Sequence, residues 1–583
     1  MASPSTGLEP ELEWPRPRWV EPGSPDPEAV AALHRALGLP RALCALLVAR
    51  GHADADAAKR FLRPLVDHFH DPALLPDGAV AAQRILSALA VGERILVHGD
   101  YDVDGISGAA LLTTFLRALG GDVVAFVPHR LRDGYDFRSA GVTQAREAGA
   151  RLIVTVDCGV RAHAAVADAA ALGIDVIVTD HHTPAPDLPP AVAVVNPNRE
   201  DSEYPNRGLS GAGVAYKLCA LLARERGLPA DALLPHLDLV ALASIADLVP
   251  LTDENRALTR IGLRALERTE RVGLGALLDA TGLAGGTMEA GKVGFVLAPP
   301  INAAGRIDEA RRALDLLLTD DTGEAAALAQ QLVQLNRTRQ EEDKRTLEQA
   351  LATLRRSARE GLRHGLVISG EGWHPGVIGI VASRIVERVH RPVVVVSLNG
   401  ERGRGSARSV PGFHLYDAID ACGDLLDRYG GHRMAAGLDI QRDRLSAFED
   451  AFDRIARANL DGDALRPALR PDVELDLADL DDTFYDLLRH VGPFGVGNPR
   501  PTFLARRVPL TRPPRVVGNG HLSLEMGAGR ARFAAIGFSL AARVSPEALG
   551  TGPVDAIFQV RRETWQGRTS LRLRLSDVRS SAP

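Results

Sequence analysis

The chain has 583 residues, of which 45% are hydrophobic and 24% charged, and its formal net charge is −6. That length is too great for one core and predicts three or four domains of a soluble globular protein. The negative total argues mildly against a nucleic-acid binder, but a local groove matters more than the sum, and a carboxylate-rich metal site would itself lower it.

The first segment, MASPSTGLEPELEWP, is acidic and Pro-rich, which is wrong for a signal peptide. Residues 1–75 read as a tail followed by short helices. From Arg94 a pattern recurs: a short β-branched run, then polar or Gly residues, then an Ala/Leu-rich helical stretch. The runs are 95–97, 123–127, 152–156, 176–178 and 192–195. Such alternation predicts a doubly wound parallel α/β sheet, with ligands gathered where the strands end. Residues 231–318 read as mainly helical. Glu324 to Arg359 has no Gly or Pro and predicts one long linking helix on the surface. A second α/β unit starts at Leu366 and ends near Asp461. From about Thr502 to Val578 short alternating runs such as HLSLEM and SLRLRL predict a small antiparallel β-domain, naturally an OB-like β-barrel. The expected boundaries are 1–75, 76–320, 321–361, 362–465 and 466–583. Cys44, Cys158, Cys219 and Cys422 form no CxxC pair, which argues against a zinc ribbon and fits a reducing cytoplasm. No apolar run reaches the length of a membrane span.

The first run ends in His98-Gly99-Asp100-Tyr101-Asp102-Val103-Asp104-Gly105. Aspartates crowded at alternate positions repel one another, and a divalent cation resolves the repulsion. An isolated DxD is as readily a solvated acidic turn. Here, though, the third run ends in Asp157-Cys158-Gly159, the fourth in Asp180-His181-His182, and a further Asp247 closes the stretch LVALASIADLVPL. Taken singly, a helix cap or a structural imidazole explains each. Four polar endings on one edge of one sheet point to a metal site. Oxygen and imidazole ligands without thiolate suit Mn²⁺ or Mg²⁺, and several bridging carboxylates suggest two ions, the usual set for phosphoester hydrolysis.

HGDYDVDG, VDCG, TDHH and ASIADLVPL, in that order, resemble the motifs of the DHH phosphoesterases. The resemblance implies Asp102, Asp104, Asp157, His181 and Asp247 as metal ligands, with Asp157 bridging, His182 facing the scissile phosphate, and His98 as a further candidate ligand. Asp100 has no counterpart as a ligand and reads as a supporting group or a cap for the next helix. Asn302-Ala303-Ala304-Gly305-Arg306 resembles a motif of the strand-degrading members whose arginine approaches the backbone. GSARS (405–409) and Gly430-Gly431-His432 resemble the DHH-associated (DHHA1-like) domain. By the same resemblance Arg130, Arg306, Ser406, Arg408 and His432 hold substrate phosphate. One departure stands out: after Asp133-Gly134-Tyr135 the family commonly has Gly, and this chain has Asp136-Phe137. Arg500, Arg506, Arg507, Arg512 and Arg515 form a basic stretch without an acid, and Phe503, Phe533, Phe538, Phe558 and Trp565 are the aromatics available there for stacking.

The resemblance implies a ring-shaped enzyme with the metal site at its interface. Its expected activity is metal-dependent 5′→3′ degradation of single-stranded DNA to 5′-mononucleotides, in recombination and repair. Expected partners are single-stranded DNA, a single-stranded-DNA-binding protein and a repair helicase, with no membrane; the expected state is a cytoplasmic monomer. Two other readings are a small-substrate DHH phosphatase and a non-catalytic scaffold. The first typically lacks the β-rich tail, and the second would have lost acidic ligands that this chain keeps.

Overall fold

The structure is a computed structural model that describes residues 15–581, apart from 131, 135, 230, 308, 358–360, 530 and 566–567. The expected acidic tail before residue 15, Tyr135 and the Trp565 side chain lie outside the described residues. The chain divides into two compact units. One comprises Asp56–Arg337 and Leu488–Arg500; the other comprises Met1–Ala55, Thr338–Leu487 and Pro501–Pro583. No single described helix is long and apolar enough to cross a membrane.

The first unit is built on five parallel strands: β1 (Ile95–Gly99), β2 (Val123–Phe126), β3 (Leu152–Val156), β4 (Asp175–Thr179) and β5 (Ala193–Val195). Their spatial order is β2-β1-β3-β4-β5. This is the doubly wound order, with its reversal between β1 and β3. Every residue of β1 and β3 is buried, because helices cover both faces and the sequence supplies Val and Ile on both. Each such side chain is worth about 1.5–3 kcal/mol when fully buried, so the strand ends at the reversal are anchored firmly. Helix α1 (Val103–Ala118) follows β1, α2 (Gly211–Glu225) lies beside it, and α3 (Leu237–Ala246) is buried on nearly every side.

The long polar stretch is one helix, α4 (Thr322–Ser357). It is not simply a surface strut. Ala325, Ala329 and Leu332 are buried in the first unit's core, and Leu347, Ala350, Leu351 and Leu354 in a cluster of the second. Apolar residues at helical spacing near each end give it two buried stripes.

In the second unit a sheet carries β6 (Leu366–Glu371), β7 (Val393–Asn399), β8 (Arg402–Arg408), β9 (Arg428–Gly431) and β10 (Ala435–Gln441) in the order β9-β10-β8-β7-β6. A further sheet of seven strands contains Phe503–Val508, Leu510–Val517, His521–Ala528, Ala531–Gly537, Val554–Trp565 and Arg568–Ser580, with Val473–Glu474 at one edge. It corrects the expectation of a wholly antiparallel domain. Ala534–Ile536 pairs in parallel with Arg572–Arg574, and Val473–Glu474 in parallel with Phe503–Leu504. Period-2 alternation fixes which face a residue takes but not the direction of its partner strand.

Candidate metal centre

The polar endings of β1, β3 and β4 converge at the carboxyl edge, at and beside the strand-order reversal. Asp102 caps α1: its Oδ1 accepts hydrogen bonds from the amides of Asp104 (2.9 Å) and Gly105 (3.2 Å). Asp102 therefore takes the capping role considered for Asp100. Asp104 is buried two residues further on, and both its oxygens accept backbone amides, from Gly211 and Ala212 at 2.7 Å each. Those donors are the N-terminus of α2, where amides lack intrahelical partners and the dipole favours an anion. Asp157 follows β3 with φ +65°, a left-handed conformation that costs a non-Gly residue free energy and is retained mostly at functional sites. Gly211 makes room for it: a Cβ there would lie 2.4 Å from Asp157 Cβ.

His181 Nε2 sits 3.0 Å from Asp157 Oδ1, 3.7 Å from Asp247 Oδ2 and 3.8 Å from Asp104 Oδ2. The 3.0 Å contact is not aligned as a hydrogen bond. Both Asp157 Oδ1 and His181 Nε2 are buried without a hydrogen-bond partner, and so is Asp100 Oδ1. Orphaned buried acceptors of this kind are costly unless something absent from the protein atoms completes them. Burial, followed by the charges of neighbouring aspartates, pushes Asp157 and Asp100 well above the usual carboxylate range and Asp247 up to about 8. Burial also raises Asp104, with Asp102 adding to it and His181 opposing. Carboxylates that cannot all ionise together, converging with an imidazole on unfilled acceptors, fit a divalent cation. Three ligand groups lie within reach of one another: Asp104, His181 and Asp247; Asp157, His181 and His182; Asp100, Asp102 and Asp157.

His98 does not join them. Its ring packs against Phe126 and Phe137, with centroids 5.3 and 5.2 Å away, and Nδ1 faces the Cys158 thiol at 3.6 Å. Burial lowers its pKa to about 4. The strand pleat explains the correction. Leu96 belongs to the cluster of Phe137 and Val142, and His98 shares its face. Asp136, where the family commonly has Gly, adopts φ +76°, and its Oδ1 accepts from the amides of Phe137 (2.8 Å) and Gly159 (2.7 Å). The side chain thus ties down a turn that glycine would leave untethered.

Asp180 orients His182. Its Oδ1 accepts from His182 Nδ1 at 2.7 Å and from the amides of His181 and His182. Burial opposes charge on His182, but the hydrogen bond and charge of Asp180 outweigh it, and the pKa rises to about 9. Asp180→Asn keeps the volume and removes the charge. We expect about 10- to 100-fold lower kcat, the scale for loss of a group that orients a site residue, with bound metal unchanged in elemental analysis. A kcat within twofold of wild type would remove Asp180 from the machinery.

Arg130 and Arg306, 176 positions apart in sequence, meet around Tyr101. The Arg130 guanidinium lies 5.2 Å from the ring centroid, and Gly305 approaches the Tyr101 carbonyl so closely that a Cβ would lie 2.5 Å from it. Burial pushes the phenol up to about 12, against the opposing charges of both arginines. Tyr101 was not singled out in the sequence, nor were the amides of Gly211 and Ala212. The available signal for the amides was Ser210, a capping residue followed by Gly-Ala-Gly.

In the second unit Arg408 Nη1 donates to Ser406 Oγ (3.0 Å) and to the Ala407 carbonyl (2.8 Å). Among the described residues it has no carboxylate partner, and burial draws its pKa below the usual guanidinium value. Gly379, in the first turn of the helix Ile378–Val389, lets the pair close in: a Cβ there would lie 2.9 Å from Arg408 Nη2. A half-buried guanidinium beside a helix N-terminus suits a phosphate. Gly430-Gly431-His432 is exposed, with Gly431 opposite Ala436, which in turn faces Ala407.

A doubly wound sheet with carboxylates and an imidazole gathered at its strand-order reversal defines a metal-dependent phosphoesterase of the DHH type. Residues 94–244 match the DHH family, N-terminal domain; residues 363–458 match the DHHA1 domain, and residues 471–577 the RecJ OB domain. The chain is 38% identical to the single-stranded-DNA-specific exonuclease RecJ of Salmonella typhimurium, over 85% of this chain and 89% of that protein. It is 36% identical to the same exonuclease of Escherichia coli, over 93% and 96%. The Bacillus subtilis relative is longer: at 35% identity the chain covers 66% of it. The crystal structure of RecJ from Thermus thermophilus in complex with Mn²⁺ superposes with a TM-score of 0.83 at 33% identity, covering 97% of this chain and 80% of that one; the corresponding Mg²⁺ complex gives 0.78. The chain belongs to the RecJ family of single-stranded-DNA-specific exonucleases.

Proposed function

We propose that this chain is a divalent-metal-dependent exonuclease that releases 5′-mononucleotides from single-stranded DNA in the 5′→3′ direction, in recombination and repair. The observation that carries the reading is the unfilled acceptor pair Asp157 Oδ1 and His181 Nε2 among crowded carboxylates. Asp104, Asp157, His181 and Asp247, with Asp102, would hold the cation, and a second ion would use the same carboxylate cluster. When bound, a divalent cation supplies positive charge against phosphate oxygens and lowers the pKa of water in its reach. The α2 amides fix Asp104, so its oxygens are aimed before substrate arrives. His182, held as a cation by Asp180, donates a hydrogen bond towards the scissile phosphate. Arg130 and Arg306 neutralise backbone phosphates next to it. A small-substrate phosphatase would share the metal centre, but the match of residues 471–577 to the RecJ OB domain favours a polymer. The same reading carries a cytoplasmic monomer that works with a single-stranded-DNA-binding protein and a repair helicase. The direct test is degradation of single-stranded DNA labelled at either end, with and without Mn²⁺. Early release of a 5′ label as mononucleotide is expected; early release of the 3′ label reverses the polarity.

Arg408 and Ser406 are proposed to grip a terminal 5′-phosphate, with His432 in the connection between β9 and β10. A charge-assisted hydrogen bond contributes about 1.5–3 kcal/mol. Arg408→Ala should therefore slow cutting of 5′-phosphorylated strands about ten- to a hundredfold more than cutting of 5′-hydroxyl strands. Equal losses on both substrates would take Arg408 out of the phosphate grip.

A further inference from the structure

Residues 157–160 leave β3 ahead of the helix His163–Ala171, and the loops beside them hold much of their backbone. The Asp157 amide donates to the Thr179 carbonyl (3.0 Å), and Thr155 Oγ1 donates to the Cys158 carbonyl (2.7 Å). The next two amides end on side-chain carboxylates. Gly159 donates to Asp136 Oδ1 at 2.7 Å, and Val160 to Asp180 Oδ2 at 3.0 Å. Asp180 follows β4 and also orients His182. Asp136 lies in the turn after β2, at the position where this chain departs from the common Gly. Of the two tethers, Asp136 grips the amide nearer to Asp157.

Asp136 stands there against two costs. Its φ of +76° is left-handed, a conformation that Gly takes freely and Asp only at some expense. Its carboxylate also sits near like charge: burial raises its pKa, with Asp180 adding to it and His182 opposing. In return the side chain makes two hydrogen bonds to backbone amides. The bond to Phe137 (2.8 Å) serves its own turn, whereas the bond to Gly159 reaches 23 positions along the chain, to the second residue beyond Asp157. The receiving loop is tightly fitted. Gly159 has φ +106°, and a Cβ there would lie 2.9 Å from Thr155 Oγ1. With Asp157 at φ +65°, two of three consecutive residues are left-handed, and such backbone persists only where its surroundings hold it.

We propose that Asp136 is a positioning residue of the metal centre: through the Gly159 amide it fixes the backbone that aims Asp157, and it thereby sets affinity for the divalent cation rather than the rate of the chemical step. The inference rests on the metal-centre reading given above. The test is titration of full-length protein with Mn²⁺ in the absence of DNA, followed by the EPR signal of free Mn²⁺. Asp136→Gly keeps the left-handed turn without strain and removes the tether. It should weaken Mn²⁺ binding about tenfold, the scale for loss of a group that holds a ligand, with kcat at saturating Mn²⁺ within about twofold of wild type. Asp136→Asn keeps an oxygen for both amides and tolerates the backbone, so it should bind Mn²⁺ within about threefold of wild type. Asp133 ties the same turn through the His129 amide (2.8 Å). Asp133→Ala loosens the turn but leaves Gly159 held, and should bind Mn²⁺ within about twofold of wild type. Wild-type Mn²⁺ affinity in Asp136→Gly overturns the proposal. So does an equal loss in the Gly and Asn variants, which would make the charge and not the hydrogen bond responsible, or an equal loss in Asp133→Ala, which would leave only general stiffness of the turn. Should Asp136→Gly fail to fold, Asp136→Asn decides, and a loss of about tenfold or more there overturns the proposal. Wild-type Mn²⁺ binding by Asp157→Ala is a separate result: it would remove the metal-centre reading itself.

Discussion

Asp157→Ala should lower hydrolysis of single-stranded DNA by on the order of a thousandfold or more while leaving the fold in place, because the ions it helps to hold carry the chemistry. Three features single it out among the carboxylates. It belongs to two of the candidate ligand groups, its backbone is held at φ +65°, and Gly211 is spaced to admit it. The substitution also relieves crowding, since Asp157 is one of several buried carboxylates raised by one another. Thermal stability without metal should therefore be equal to or above that of wild type, and the stabilisation gained on adding Mn²⁺ should shrink. The measurements are mononucleotide release and the Mn²⁺-dependent shift in Tm. Turnover within tenfold of wild type at matched metal content would sink the ligand assignment.

The second large effect is on stability. Lys217, on α2, forms an ion pair with Glu254, and both side chains are essentially buried. Lys217 Nζ also donates to the His70 carbonyl at 2.9 Å, and Glu254 accepts from Tyr204 Oη at 2.7 Å and from the His70 amide at 2.8 Å. Burial alone would lower the lysine pKa, and Glu254 opposes that. Lys217→Met leaves a buried carboxylate without its cation, which costs about 3–5 kcal/mol. Removing both charges, as Lys217→Met/Glu254→Gln, should recover part of that loss. Because α2 also presents the amides that hold Asp104, metal affinity should fall together with stability in the single variant. Urea unfolding followed by circular dichroism, with Mn²⁺ titration, checks both. A single variant as stable as wild type within about 1 kcal/mol would show that the pair is not needed.

Much of the catalytic half was legible in the residues. Short β-branched runs are buried on both faces only in a parallel sheet flanked by helices, so the runs from Ile95 to Val195 determined the fold class. Four of the five runs are followed at once by a polar group, and parallel strands place all such endings on one edge. The convergence of Asp102, Asp104, Asp157, His181 and Asp247 therefore needed only the pattern and the family resemblance. The Arg408–Ser406 pair came from the family resemblance alone, and the structure supplies the reason they meet: they stand two apart on one strand and share a face.

Only the tertiary structure decided the rest. His98 carries the right chemistry in the right string, but the pleat turns it with Leu96 into an aromatic cluster, and Asp100 faces the carboxylates instead. Asp104 is held by amides 107 and 108 positions away, a distance no local pattern spans. The charge of the C-terminal region was misleading in one dimension. Within an acid-free run, Arg500, Arg506 and Arg512 meet Glu289, Glu474 with Glu21, and Glu525, carboxylates that the local sequence does not show. Charge acts through space and falls off within about 10 Å at ordinary salt, so which arginines remain available to a polyanion depends on which side chains the fold brings within that range.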